Sequence, residues 1–177
     1  MGTNPFRTDA SAWVSRFAPL VSKGGRVLDL ACGGGRHSRL FLDRGHPVTA
    51  LDRDISQAQR AQGADLVEAD LENGSPWPLE EHRFAAVVVT NYLWRPLFPQ
   101  ILGSLEAGGV LIYETFALGN EAYGRPRNPD HLLGRGELLC LTQGLTVVAF
   151  EDGIEEDRKV VQRLCAVNGP GPSPLPS

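Results

Sequence analysis

No stretch of the 177-residue chain approaches the roughly 20 consecutive apolar residues that a membrane-spanning helix requires, and the segment from Met1 to Asp9 is polar rather than basic and then apolar. A cytoplasmic protein with no membrane partner is expected. Cysteine is scarce. Cys32, Cys140 and Cys165 are an odd number at wide spacing, which suits neither a disulfide framework nor a zinc knuckle. They are expected to be reduced thiols, with Cys140 and Cys165 in the core. No ligand spacing joins them to the 4 His, so no metal is expected. Positive charge is not in surplus either. The 17 basic residues are interspersed among 21 acidic ones, for a net charge of −4, and no basic face for nucleic acid is implied. The length allows one domain with a sizeable core and excludes two ordinary ones.

What the chain does have is an alternation of apolar runs and helical spacings. Trp13, Phe17, Leu20 and Val21 recur at helical spacing, so residues 10–22 are expected to be a helix. Buried-strand patterns follow at Arg26 to Leu30, Val48 to Leu51, Ala64 to Ala69, Phe84 to Thr90 and Val110 to Thr115. Helices are expected around Arg39 to Leu42, at Ile55 to Gln62 and at Pro96 to Leu105, the last turned by Gly108-Gly109. Phe84 to Thr90 is a continuous apolar run, the mark of a central strand buried on both faces. A short helix at Glu137 to Leu141 precedes two strands, Leu145 to Glu151 and Val160 to Val167, that suit an antiparallel hairpin.

Strands alternating with helices for five rounds predict an α/β fold. The expectation is a doubly wound, mostly parallel seven-stranded sheet with one antiparallel edge strand and helices on both faces. One domain is expected over residues 1–167, followed by a disordered tail rich in Pro, Gly and Ser at 168–177. Ligands of such sheets bind beyond the carboxyl ends of the strands, where the strand order reverses.

The densest signal lies at the end of the first strand: Val27-Leu28-Asp29-Leu30-Ala31-Cys32-Gly33-Gly34-Gly35-Arg36-His37-Ser38. Three glycines let the backbone fold tightly and approach a ligand before a helix start with unpaired N–H groups. Two ligand classes compete for this loop. Dinucleotide sites use G-x-G-x-x-G with a pyrophosphate at the helix start, but Ser38 occupies the third glycine's place and Asp29 would repel a pyrophosphate. The same carboxylate suits a ligand bearing ammonium and sulfonium groups, which describes S-adenosylmethionine. His37, in the first helical turn, is expected to stay neutral and face solvent.

The segment Val27 to Gly35 resembles the glycine-rich first motif of the class I S-adenosylmethionine-dependent methyltransferases, and the size of the chain with Gly35-Arg36-His37-Ser38 is similar to the small bacterial tellurite-resistance or thiopurine-type group. The resemblance spans about residues 26–167. It implies a cofactor site built from Asp29, Ala31, Gly33, Gly34, Gly35, Asp52, Arg53, Asp70, Leu71 and Asn91. Asp52 matches the acid that bonds the ribose hydroxyls, and Asp70 with Leu71 the position that meets the adenine amino group. The fourth strand ends in Thr90-Asn91-Tyr92-Leu93 rather than N-P-P-[YF], so methylation of planar amides is not implied.

By family position Asn91 and Tyr92 are the expected catalytic residues. Tyr92, Trp94, Arg95, Glu114, Phe116 and Tyr123 are the expected substrate-binding ones. Ala117 to Arg135 is a long loop carrying aromatics and arginines, expected to be a substrate lid. The reading is a methyltransferase that passes a methyl group to a small molecule by in-line displacement, for which alignment and exclusion of water matter most. A nicotinamide-dependent oxidoreductase and a non-catalytic S-adenosylmethionine-binding regulatory subunit remain the alternatives.

Overall fold

The computed structural model describes residues 9–176, so residues 1–8 of the expected domain and Ser177 of the expected tail lie outside the described residues. Seven strands form one sheet: β1 (Val27–Leu30), β2 (Val48–Asp52), β3 (Asp65–Glu68), β4 (Phe84–Thr90), β5 (Leu105–Phe116), β6 (Thr146–Glu155) and β7 (Lys159–Val167), in the order β3-β2-β1-β4-β5-β7-β6. β1 to β5 run parallel, and β4 stands at the centre. The antiparallel hairpin closes one edge, with the reversed β7 inside and β6 outermost. The strand order reverses between β1 and β4, so the ends of these two neighbours open the crevice where the glycine loop sits.

Alternation along the strands sorts the core into two layers. Val27, Ala86, Val88, Val110 and Ile112 face α1 (Ala12–Phe17) and α2 (Arg36–Asp43), which supply Trp13, Phe17 and Phe41. Leu28, Leu30, Val87, Val89, Leu111 and Tyr113 face α3 (Phe98–Gly103) and α4 (Glu137–Leu141), which supply Phe98, Ile101 and Leu138. Burial on both faces is why β4 reads as an unbroken apolar run.

The helices are shorter than their periodicities predict. The segment expected as a helix over 10–22 is α1 followed by a 3₁₀ turn at Ala18–Leu20, because Pro19 has no N–H to continue the α ladder. Ile55 to Gln62 forms two 3₁₀ turns, Ile55–Gln57 and Gln59–Ala61, pressed against the glycine loop, where the Arg60 N–H donates to the Gly34 carbonyl. Pro96 to Leu105 divides into a 3₁₀ turn at Arg95–Leu97 and α3. Gly108-Gly109 lies inside β5 rather than before it. A Cβ on Gly109 would stand 2.9 Å from the Phe84 carbonyl oxygen, and the pairing of β4 with β5 shifts register there. The crossing from β3 to β4 is a loop without a helix, so the alternation does not run for five rounds.

Cys140, expected in the core, is exposed, because Leu138 takes the inward face of the five-residue α4. After β7, Asn168 exchanges backbone hydrogen bonds with Gly108 and Gly109, and Gly169 accepts one from the Thr146 hydroxyl.

Phe41 is fully buried and is the principal apolar contact of α2 with the sheet. Phe41→Ala is expected to cost about 3–5 kcal/mol in denaturant unfolding. A loss below about 1 kcal/mol would contradict that packing.

Candidate functional site

The glycine loop is fastened from both sides. Gly35 turns the chain into α2 with φ +77, and a Cβ there would lie 2.6 Å from the Ala61 amide nitrogen, so only glycine fits. Gly35 has no side chain to cap the helix it starts. Asp29 supplies the acceptor instead: its Oδ2 takes hydrogen bonds from the Ser38 N–H at 2.8 Å and the Ser38 hydroxyl at 2.6 Å. This explains the serine at the place of a third glycine. It also corrects the expectation for Asp29, which is buried beneath the loop rather than among the residues lining the cavity beyond it. Burial pushes its carboxyl up to about 6, against the lowering effect of the Ser38 bonds.

On the opposite side the Gly33 N–H donates to Asp52 Oδ2 at 2.9 Å, and the Asp54 N–H donates to Oδ1 at 3.1 Å. A Cβ on Gly33 would meet nothing within 4 Å, so the loop is open on its outer side. Cys32, next to it, has its thiol pushed up to about 12 by burial and by the Asp29 and Asp52 charges, and it stays a protonated thiol at neutral pH.

Beyond the ends of β1, β2, β3 and β4 lies a cavity of about 310 Å³. Ala31, Asp52, Arg53, Asp70, Leu71, Asn91 and Tyr92 line it, all expected from the sequence, together with Leu51, Ala69 and Glu72, which were not. Ala31 and Asn91 stand at adjacent strand ends with φ +54 and +55, a conformation uncommon outside glycine that turns each backbone away from its strand at the crevice. The Tyr113 hydroxyl, in the core, donates to the Tyr92 carbonyl at 2.8 Å, and the Asn91 N–H donates to the Glu114 carbonyl, so the turn after β4 is held from below. Asp70 Oδ1 accepts the Glu72 N–H. Burial, then the neighbouring Glu72 carboxylate, raise the Tyr92 phenol above its ordinary value.

A second cleft of 220 Å³ adjoins this cavity at Glu72, Asn91 and Tyr92, and is walled by Thr115, Phe116, Pro126 and His131. A groove of 240 Å³ meets it from the other side, between Trp77 and Trp94. Phe116 therefore faces the cleft, Trp94 faces the groove, and Tyr123 lines a separate pocket of 300 Å³ between the 117–135 loop and the β6–β7 hairpin.

The loop is anchored at its base. Ala117 pairs with Leu133, and the buried Asn120 side chain accepts from the Val160 N–H and donates to the Pro126 carbonyl. Arg95, expected to bind substrate, is committed to this loop: it holds Glu137 through two bonds of 2.6 and 3.0 Å and the carbonyls of Asp130 and Leu132 at 2.8 Å each. Glu114, also expected to bind substrate, is buried between the Ser11 hydroxyl at 3.0 Å and Arg163 at 3.0 Å, where it ties α1 to the sheet. His37 is buried rather than solvent-facing. Its Nε2 accepts from the Ser11 N–H at 3.1 Å, and its Nδ1 lies 3.4 Å from the Thr90 hydroxyl. Burial of the ring, then the neighbouring Arg36 charge, hold the imidazole neutral, with its value lowered to about 3.

Asp29 and His37 pull stability in opposite directions with pH. The folded protein keeps a proton on Asp29 that the unfolded chain releases between about 3.8 and 6, so this contribution falls as pH rises through that window. The unfolded chain protonates His37 below about 6.5 while the folded one resists to about 3, so that contribution is lost as pH falls. Each slope is about 1.4 kcal/mol per pH unit, and from pH 4 to 6 the two cancel. Relative to wild type, Asp29→Asn is expected to lose stability on acidification over this range and His37→Gln to lose it as pH rises. Urea unfolding at several pH values measures both, and parallel profiles for all three proteins would contradict the burial of these groups.

Residues 27–109 match a family model described as a methyltransferase domain. A malonyl-[acyl-carrier protein] O-methyltransferase of Enterobacter lignolyticus is 35% identical over 126 residues, covering 63% of this chain and 46% of that protein. The chain thus spans less than half the length of the curated relatives it matches. The fold is similar to that of TehB from Haemophilus influenzae, with TM-score 0.72 at 15% identity over 89% of this chain and 62% of that one. It is similar as well to the N-methyltransferase NodS from Bradyrhizobium japonicum in complex with S-adenosyl-L-homocysteine, with TM-score 0.65 at 18% identity over 94% and 93% of the two chains. Over residues 27–109 the chain is thus similar to a methyltransferase domain, and its fold is similar to those of TehB and NodS.

Proposed function

We propose that this protein is an S-adenosylmethionine-dependent methyltransferase whose acceptor is a small molecule bound in the cleft under the 117–135 loop. The observation that carries the reading is the ring of acceptor groups in one cavity at the reversal of the sheet: the carboxylates of Asp52 and Asp70 on successive strand ends, with the left-handed Asn91 across from them. Carboxylates accept hydrogen bonds from a ribose diol and an adenine amino group. A pyrophosphate would instead meet Asp52, Asp70 and Glu72 with Arg53 as the lone cation of the cavity lining, which weighs against a dinucleotide.

S-adenosylmethionine, when bound, supplies a methyl group already activated by its sulfonium. The protein's own residues then bind and orient. Asp52 holds the ribose end and keeps the Gly33 amide in place; Leu71 and Asp70 hold the base; the loop backbone at Gly33 and Gly34 faces the amino-acid end. Asn91 and Tyr92, fixed by Tyr113, stand where the cavity opens into the cleft. Phe116, Pro126 and the anchored loop exclude water from the line of transfer. Arg95 acts on this site only as the anchor of the loop.

Asp52→Ala is expected to weaken S-adenosylhomocysteine binding by about 2–4 kcal/mol through loss of two charge-assisted hydrogen bonds. Calorimetric titration of both proteins tests it. Wild-type affinity in the variant would remove Asp52 from the ribose position, and no binding by the wild type would refute the reading.

A further inference from the structure

Glu72 is the one residue common to the cofactor cavity, the cleft and the tryptophan groove. It lies in the helix-free crossing from β3 to β4, exposed, and lines the cavity and the cleft beside Tyr92. Tyr92 belongs to both the cavity and the cleft, so the pair spans the boundary that a methyl group has to cross. The charged and titratable groups around it are Asp52, Asp70 and Arg53 from the cavity walls, Tyr92 from the end of β4, and His131 from the lid loop. Arg95, the cation on the turn after β4, is taken up by Glu137 and two carbonyls. A carboxylate acceptor in the cleft would therefore face Glu72 with His131 as the sole basic side chain of the lining.

Building on the methyltransferase reading, we propose that Glu72 takes the proton of the acceptor, and that the acceptor presents a protonated nucleophile (a thiol, hydroxyl or amine) rather than a carboxylate. The acceptor's heteroatom forms a bond to the methyl carbon as the carbon–sulfur bond breaks, and that bond's electron pair remains on the sulfur as a neutral thioether. The proton leaves the heteroatom for a Glu72 oxygen and passes from there to water. Tyr92 stands beside Glu72 in the lining of both the cavity and the cleft. No oxidant or further reactant is required.

Sinefungin tests this without turnover, because it carries an amine on the carbon that replaces the methyl-bearing sulfonium. Its affinity relative to S-adenosylhomocysteine is measured by calorimetry on the full chain, for wild type, Glu72→Gln and Glu72→Asp. The preference for sinefungin is expected to fall at least tenfold in Glu72→Gln, with S-adenosylhomocysteine binding within threefold of wild type and Glu72→Asp between the two. A second measurement follows labelled methyl transfer to thiols, phenols, amines and carboxylates. Products are expected from the first three classes only. Glu72→Gln should lower kcat at least 30-fold with KM within threefold. An unchanged sinefungin preference in Glu72→Gln, or transfer to carboxylates alone, overturns the assignment. A wild type that binds neither ligand overturns the methyltransferase reading itself, and Glu72's role with it.

Discussion

The glycine loop keeps its shape because Asp29, buried at the end of β1, accepts two hydrogen bonds from Ser38. A helix that starts from a glycine has first-turn amides with no local partner. Here a carboxylate from the neighbouring strand takes that place, and its burial fixes α2 relative to the sheet. The loop between them has little freedom left, since Asp52 holds the Gly33 amide and Ala61 blocks the space behind Gly35. The cavity at the strand ends therefore depends on a group that does not line it. Desolvating Asp29 costs stability, and the return is a cradle rigid before any ligand arrives.

Residues lining the cavity at the strand ends were legible in the sequence because their positions follow from local order. Asp52 and Asp70 lie at or just beyond the ends of apolar runs, and a parallel sheet brings such ends to one crevice. Glu72 was not legible, since a loop acid four residues past β3 has no periodicity to mark it. His131 was visible only as part of a long loop. Residues with partners distant in the chain were misread. Arg95 meets Glu137 across 42 positions, Arg163 meets Glu114 across 49, and His37 meets Ser11 across 26, and no spacing rule announces such pairs. The short helices were overextended for a related reason: packing of Gln59–Ala61 against the glycine loop, and the proline at 19, interrupt ladders that periodicity alone would continue.

The cleft under the 117–135 loop is assembled from more distant parts than the cavity at the strand ends. The 117–135 loop is tied to β7 through Asn120 and Val160, to the turn after β4 through Arg95, and to α4 through the Gly134 N–H on Glu137. Its base is fixed while Tyr123, Arg127 and His131 stay exposed above it. Such a loop changes what the cleft admits by changing its exposed residues, with the sheet and its ligand cradle undisturbed.

Ala31 and Asn91 hold left-handed backbone at neighbouring strand ends although neither is glycine. Such conformations store strain of order 1–3 kcal/mol each, which surrounding packing has to offset. A lineage selected only for robustness would drift to glycine at both positions and relax. Side chains at these two corners therefore mark where the chain has traded resilience for a shaped opening, and an engineer seeking a sturdier scaffold would begin there, outside the core.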